Sequence, residues 1–257
     1  MVTSRQHVIV KTYRAVARGD DTRALIDGWH LLHDAVAAGM AIDTVALAGM
    51  PPTASDAALI RGLGSQVVEV NASVMDALSP VRSPSGVAAI VVKRTWPFEA
   101  VFARAPALVV IADGLQDPGN MGAIVRAAEA GGASGVVLTG ASADPWGWKA
   151  LRAAMGSTFR VPLAVEADVI AVCDRLHAAG VRVLATTPRD GTAMYDADLR
   201  APVAIVIGSE GAGLSAALTE RADARITIPM ASGVESLNAA VAAALAVYEA
   251  RRQRMRS

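Results

Sequence analysis

The sequence predicts an α/β fold in two parts, a small N-terminal α/β domain followed by a larger domain on a mostly parallel sheet. After about residue 107, short apolar runs rich in Val, Ile and Leu alternate with segments of helical periodicity. These runs are continuous rather than alternately apolar and polar, which is typical of strands covered on both faces and hence of a parallel sheet. Both kinds of pattern also occur before residue 95, over the length of a small domain.

The composition excludes several classes of protein. A chain of 257 residues can bury a stable core without disulfide bonds or structural metal ions. Its one cysteine, Cys173, has neither a disulfide partner nor a metal-binding cluster around it in the sequence. No apolar run approaches the roughly 20 residues that a membrane span needs, and the N-terminus lacks the apolar core of a signal peptide. We therefore expect a cytoplasmic protein that uses no metal and no membrane. The 24 basic and 24 acidic residues balance, so the net charge indicates no partner.

The N-terminal domain, residues 1–94, is predicted to contain two helices and three strands. Helices are expected at 8–18 and at 24–39, the second because Leu25, Trp29, Leu32 and Val36 fall at helical spacing. The expected strands are residues 44–48, 66–70 and 87–92. Residues 95–106, which contain Pro97 and Pro106, are interpreted as a linker.

The C-terminal domain, residues 107–257, is predicted to alternate strands and helices. The expected strands are residues 108–112, 135–139, 181–186, 203–207 and 225–228. The expected helices are residues 121–130, 169–179 and 236–252. Ligands of parallel sheets bind beyond the carboxyl ends of the strands, and three unusual segments of this chain begin at such ends.

The first segment, residues 113–128, passes from a strand through a Gly- and Pro-rich turn into a helix. Asn120 is expected near the N-terminus of that helix, and Arg126 nearly two turns further along. One interpretation is structural, with Asn120 as the N-cap and Arg126 pointing to water. The other is functional, because an arginine among Ala, Val and Ile residues usually has an anionic partner.

The second segment, residues 205–215, ends a buried strand in a loop with three glycines, which lets the backbone approach a ligand closely. Residues 211–216 also satisfy the dinucleotide-binding fingerprint, with Asp223 as the candidate ribose acid. That fit is poor, because Asp223 comes too early, before the next strand rather than at its end. Ser209 is not a hydrolase nucleophile, since Ile207 stands where its turn would need glycine.

The third segment, residues 226–242, leads from a strand through Pro229 to the start of a long Ala-rich helix. If Glu235 or Ser236 caps the N-terminus of that helix, the presence of a serine at 236 is explained. Such capping leaves Asn238, a poor helix former within the predicted first turn, without a reason.

Together these segments resemble the signature motifs of the SpoU (TrmH-like) family of RNA 2′-O-ribose methyltransferases, in the SPOUT superfamily. The three segments match the family's motifs in the same order: Asn-x-Gly-x-x-x-Arg, then Gly-Ser-Glu-Gly-x-Gly-Leu, then Ile-Pro-Met followed by Ser-Leu-Asn. The resemblance covers residues 107–252, including a connecting segment at 149–157. The N-terminal domain resembles the L30e-like RNA-binding domain of many members, with Asp27-Gly28 where Glu-Gly is common.

The resemblance implies a deep trefoil knot, an exception to the rule that chains avoid threading. It also implies a homodimer, S-adenosylmethionine as the methyl donor and RNA as the substrate, ribosomal RNA rather than tRNA because members with an added N-terminal domain mostly act there. The residues implied to bind the cofactor are Gly208, Glu210, Gly211, Ile228, Pro229, Met230, Leu237 and Asn238. Those implied in catalysis are Arg126, Asn120, Glu210, Ser236 and Asn238.

The role of Arg126 needs a physical qualification, because a guanidinium stays protonated in proteins and is a poor base. Our hypothesis is that Arg126 binds the phosphate of the target nucleotide and orients the hydroxyl. The proton then passes to a phosphate oxygen of the substrate or to a transiently deprotonated Arg126. Two other functions stay open at this point, a non-catalytic RNA-binding relative and a dinucleotide-dependent oxidoreductase.

Overall fold

The computed structural model describes residues 1–209 and 213–255. The chain divides into two compact units, Met1–Arg94 with Pro145–Phe159, and Thr95–Asp144 with Arg160–Ser257. Residues 145–159, which the sequence analysis places in the C-terminal domain, thus pack with the first unit. Their large apolar side chains Trp146, Leu151 and Phe159 are the reason, because all three are buried in the core of that unit.

The first unit is a four-stranded sheet covered by helices. In chain order its elements are α1 (Val8–Arg18), β1 (Arg23–Asp27), α2 (Trp29–Ala37), β2 (Ile42–Ala48), α3 (Ala54–Leu63), β3 (Val67–Val70), α4 (Ala72–Leu78) and β4 (Val87–Val92). The strand order is β1-β4-β2-β3, with β4 antiparallel to both neighbours and β2 parallel to β3. The sequence prediction agrees with helix α1, with strands β3 and β4 and with the position of β2. Helices α3 and α4 were not predicted.

The helix predicted at 24–39 is wrong in its first part. Ala24, Leu25 and Ile26 belong to strand β1, where all three are buried. Leu25 packs on one side of the sheet and Ile26 on the other, so successive side chains point to opposite faces, as they do in a strand. Gly28, with a φ of +105°, separates β1 from α2. The helical spacing of Leu25 and Trp29 is therefore a coincidence across a strand boundary.

The second unit is built on a larger sheet. Its first elements are β5 (Leu108–Asp113), α5 (Pro118–Gly131) and β6 (Gly135–Thr139). Next along the chain is α6 (Trp148–Ala154), which belongs to the first unit. The second unit then continues with β7 (Leu163–Glu166), α7 (Val169–Ala178), β8 (Arg182–Thr186), β9 (Thr192–Ala193), β10 (Val203–Ile207), α8 (Ala216–Arg221), β11 (Ala224–Thr227) and α9 (Ala239–Arg254).

The seven described strands of this sheet run in the order β7-β6-β5-β10-β8-β11-β9, and every described pairing is parallel. The predicted parallel sheet is confirmed, and the five predicted strands lie within one residue of the observed bounds. Strands β7 and β9 and helices α6 and α8 were not predicted. Helices α7 and α8 bury one face of the sheet, while α5 and α9 pack against each other and α9 contacts β5 and β10.

Residues 95–106, interpreted as a linker, are instead part of the second unit. A short 3₁₀ turn at Phe98–Phe102 buries Phe98 and Val101 in the core beside α7. The prolines mark turns there, but the apolar side chains decide where the segment packs. No helix in the described part of the chain is both long and apolar enough to cross a membrane.

Candidate functional site

A pocket of about 550 Å³ opens at the carboxyl ends of β8, β10 and β11, which are neighbours in the sheet. This is where a parallel sheet is expected to bind its ligand. Its volume lies within the range of ligand pockets. The residues that line it are Thr186, Thr187, Pro188, Ile207, Gly208, Ser209, Gly213, Leu214, Thr219, Ile228, Met230, Glu235, Ser236, Leu237, Ala239 and Ala242.

The glycine after β10 is required by close packing. A Cβ atom on Gly208 would lie 2.7 Å from Leu214 Cδ2 and 2.8 Å from the carbonyl carbon of Gly213. Any side chain at residue 208 would therefore push the returning loop away from the strand end. Ser215 closes the loop by capping α8, where its side chain accepts a hydrogen bond from the Leu218 N–H. Glu210 and Gly211, predicted for this loop, lie outside the described residues.

The segment after β11 supplies the opposite wall. Ile228, Met230 and Leu237, which the resemblance assigns to the cofactor, line the pocket, and so does Ser236, whereas Pro229 is exposed and outside the lining. The predicted helix start at 236 is wrong, since α9 begins at Ala239.

Asn238 is the N-cap of α9, and its Oδ1 accepts hydrogen bonds from the Ala240 N–H at 3.0 Å and the Val241 N–H at 3.3 Å. Asn238 thus has the capping role that the sequence analysis assigned to Glu235 or Ser236. It does not line the pocket within the described chain, although Ser236, Leu237 and Ala239 beside it do.

Asn238 also joins the first segment to the third. Its Nδ2 donates a hydrogen bond to Asn120 Oδ1 at 3.0 Å, across 118 positions of sequence. Asn120 is not a helix cap; Asp117 caps α5 and accepts from the Asn120 N–H at 2.7 Å. With the backbone cap supplied by Asp117, the Asn120 side chain is available to meet Asn238. The N-termini of α5 and α9 therefore lie side by side.

Arg126 is exposed and does not line the pocket. Within the described residues it makes neither an ion pair nor a hydrogen bond, so the anionic partner inferred from its sequence context does not lie in this part of the chain. Its neighbours on the outward side of α5 are small, Ala123, Ala127 and Ala130. A charge in such a setting is open to another molecule.

The sequence analysis missed the wall formed by Thr186, Thr187 and Pro188. These residues follow directly from β8, which lies between β10 and β11. The signal was present, because the carboxyl ends of neighbouring parallel strands meet at one edge and β8 was predicted. Without the strand order, however, the sequence did not reveal that β8 adjoins both motif-bearing strands.

The electrostatics of the pocket favour a ligand with positive charge. Among the described lining residues, the only acidic or basic side chain is that of Glu235. Asp223, the ribose acid of the dinucleotide interpretation, lies at the opposite, amino end of β11. There it accepts a hydrogen bond from the Val183 N–H at 2.7 Å and pairs with His177 Nε2 at 2.9 Å. Burial by itself would raise the pKa of the Asp223 carboxyl. The contacts with Val183 and His177 and the nearby Arg182 charge outweigh burial, so the pKa lies below its ordinary value. The described residues contain no cluster that could hold a metal ion.

Fold and pocket define a class: an α/β protein that binds a small ligand at the carboxyl edge of a parallel sheet. The SpoU rRNA methylase family model matches residues 107–248, and the MRM3-like substrate binding domain model matches residues 11–89. The chain belongs to the SpoU rRNA methylase family.

Relatives of similar length agree with this assignment. The chain is 33% identical over 227 residues to the 23S rRNA (guanosine(2553)-2′-O)-methyltransferase RlmP of Bacillus subtilis, covering 88% of each chain. It is 34% identical to the AdoMet-bound rRNA methyltransferase of Sinorhizobium meliloti, with a TM-score of 0.87 and coverage of 98% of this chain and 97% of the other. The AdoMet complex of the SpoU methyltransferase AviRb from Streptomyces viridochromogenes is 28% identical, with a TM-score of 0.88 and coverage of 97% and 99%.

Proposed function

We propose that the chain transfers a methyl group from S-adenosylmethionine to a ribose 2′-hydroxyl of RNA, ribosomal RNA rather than tRNA. One observation carries this proposal: the second and third motifs build one pocket, and the Asn120–Asn238 hydrogen bond joins the first motif to its edge. The relatives that cover most of this chain include an rRNA 2′-O-methyltransferase and two proteins solved with AdoMet, which supports both the reaction and the donor.

The pocket residues fit S-adenosylmethionine. When bound, this cofactor supplies a methyl group from a positively charged sulfonium, which the Glu235 carboxylate complements and which a basic pocket would oppose. Gly208, Ile228, Met230 and Leu237 would hold it through the two walls described above, with Pro229 and Asn238 at the rim. Glu210 and Gly211, directly after Ser209 in sequence, keep their proposed cofactor roles.

On the acceptor side, we propose that Arg126 binds the phosphate of the target nucleotide and orients its 2′-hydroxyl. The guanidinium stays protonated, so a phosphate oxygen of the RNA is our preferred acceptor for the hydroxyl proton. Asn120 and Asn238 fix the edge of the site, and Ser236 and Glu210 contact the ribose. Most of the rate enhancement then comes from positioning and exclusion of water.

We further propose a homodimer in which Arg126 serves the partner subunit's pocket. Val241, Leu245 and Tyr248 fall four and three residues apart along α9, so they share one face, and they are 47%, 40% and 49% exposed. This apolar face lies on α9, which packs beside the helix that carries Arg126. A second copy covering it would bury apolar surface and bring Arg126 to an interface.

The deep trefoil knot is part of the same proposal. Strand β11 lies between β8 and β9, and only five residues, 187–191, connect those two strands. A strand from later in the chain thus lies between two strands that a short earlier connection joins, and this arrangement supports the proposed knot. The proposed domains are an L30e-like RNA-binding domain at 1–94 and a methyltransferase domain at 107–257, with residues 95–106 packed in the second unit and residues 145–159 in the first. We place the protein in the cytoplasm, which agrees with its single, buried free cysteine.

Two measurements test the proposal. Calorimetry with S-adenosylmethionine and with NAD should give micromolar binding for the first and none for the second. Incubation with methyl-labelled donor and total RNA should move label into large-subunit ribosomal RNA. RNA binding without methyl transfer would instead indicate a non-catalytic RNA-binding relative. Binding of NAD would favour the dinucleotide-dependent oxidoreductase.

A further inference from the structure

Residues 187–191 form an arch that connects β8 to β9 around the carboxyl end of β11, the strand that lies between them. Two members of the arch, Thr187 and Pro188, line the pocket. Its height above β11 therefore sets the position of one pocket wall.

The side chain of Thr227, the last residue of β11, fastens this arch. Its Oγ1 accepts a hydrogen bond from the Gly191 N–H at 3.0 Å and lies 3.4 Å from Thr187 Oγ1. One hydroxyl therefore contacts both ends of the arch. Backbone hydrogen bonds flank these contacts, from the Thr187 N–H to Ile226 O at 2.9 Å and from the Met194 N–H to Thr227 O at 2.8 Å.

The contact at Gly191 leaves no room for a side chain. A Cβ atom there would lie 2.7 Å from Thr227 Oγ1 and 2.8 Å from the carbonyl carbon of Ile226. The residue before it, Asp190, has a φ of +63°, a left-handed conformation that non-glycine residues rarely adopt. The backbone at Gly191 thus lies directly against β11, where its amide donates to the Thr227 hydroxyl.

Thr227 also adjoins the second wall, because Ile228, the next residue, lines the pocket, whereas Thr227 itself does not. We propose that Thr227 is a positioning residue for the methyl donor: its hydroxyl holds the arch at the height at which Thr187 and Pro188 contact the cofactor. This inference rests on the proposed function, since it takes the pocket to be the donor site.

The test compares Thr227→Val with Thr227→Ser. Valine keeps the branched shape that suits a strand but leaves the Gly191 N–H without its acceptor, while serine keeps the acceptor. Calorimetry with S-adenosylmethionine should give a Kd about five to ten times that of the natural protein for Thr227→Val, the cost of one hydrogen bond and a stranded N–H. Thr227→Ser should stay within about twofold. With RNA, Thr227→Val should raise KM for the donor and leave kcat and KM for RNA unchanged.

Gly191→Ala changes the same contact from the arch side, so the inference does not depend on one variant folding. It should weaken donor binding at least as much as Thr227→Val. Equal affinity of folded Thr227→Val and Thr227→Ser, or natural affinity in folded Gly191→Ala, would overturn the role of Thr227. Failure of the natural protein to bind the donor would instead overturn the proposed function.

Discussion

The donor pocket and the region of Arg126 differ in how far one chain completes them. The pocket has walls fixed by internal contacts: the tight approach at Gly208, the cap at Asn238 and the arch held by Thr227. Arg126 is exposed on α5 and has no hydrogen-bonding partner among the described residues. We infer that the donor half of the site is built within one chain, while the acceptor half is completed by RNA and the partner subunit.

The largest effect should come from Arg126→Lys, which keeps the charge but loses the planar fork that grips a phosphate. Methyl transfer should fall by about 100-fold, because misplaced reactants lose most of the advantage of positioning. Donor affinity by calorimetry should not change, since Arg126 does not line the pocket. The matched control is Arg225→Lys, an exposed arginine at the start of β11. Retained turnover with intact RNA binding would remove Arg126 from the mechanism.

Next in size should be Leu245→Glu, which places a charge in the proposed interface. Light scattering should report a dimer for the natural protein and a monomer for the variant, and transfer should fall by about tenfold or more. Donor binding should survive, because one chain forms the pocket. Val165→Glu makes the same change at an apolar residue that is 70% exposed on β7, and should leave the dimer intact. A dimeric, active Leu245→Glu protein would contradict the shared site.

A smaller effect is expected at Asn238, where capping and the bond to Asn120 can be separated. Asn238→Ala removes both and should cost about 1 kcal/mol of unfolding free energy through the lost cap. Asn238→Asp keeps the capping oxygens and should retain stability, but it cannot donate to Asn120 Oδ1, so Asn120 must turn its amide over to donate instead, and transfer should fall about fivefold. Thermal unfolding and initial rates measure the two quantities. Full activity of Asn238→Asp would mean that the orientation of the Asn120 amide does not matter for the reaction.

The smallest effect is expected at Glu235, whose exposure screens its charge. Glu235→Gln should weaken binding of S-adenosylmethionine by about threefold, and of S-adenosylhomocysteine, which lacks the sulfonium charge, by less. Glu220→Gln removes an equal charge from α8 outside the lining and serves as the control. Equal losses for both ligands would show that the carboxylate does not sense the sulfonium.

The sequence predicted the parallel sheet well, because buried strands occur as continuous apolar runs and turn residues mark where each run ends. It misjudged residues 24–39, since a buried strand followed by a glycine and a helix can imitate the spacing of one longer helix. It also began α9 too early, because Ser236 and Asn238 are both good caps and only the backbone shows which one is used.

Other features of the site depend on contacts between distant residues. The Asn120–Asn238 bond spans 118 positions and the Thr227–Gly191 bond spans 36, and neither leaves a periodic signal. The pocket wall at Thr187 follows from strand order, which one sequence does not reveal. The sequence singled out Arg126 because of its apolar neighbours, but Ile124 and Val125 are buried on the inner side of α5, whereas Arg126 itself is exposed on the outer side.

The central claim is that the methyl group goes to a ribose oxygen of ribosomal RNA. It is tested most directly by incubating the purified protein with labelled S-adenosylmethionine and ribosomal RNA from cells that lack the gene, then digesting the RNA with alkali. We predict that the label appears at one position, in a dinucleotide that resists cleavage because its 2′-hydroxyl is blocked. Label on a base, in alkali-sensitive mononucleotides, or no label at all would contradict the account.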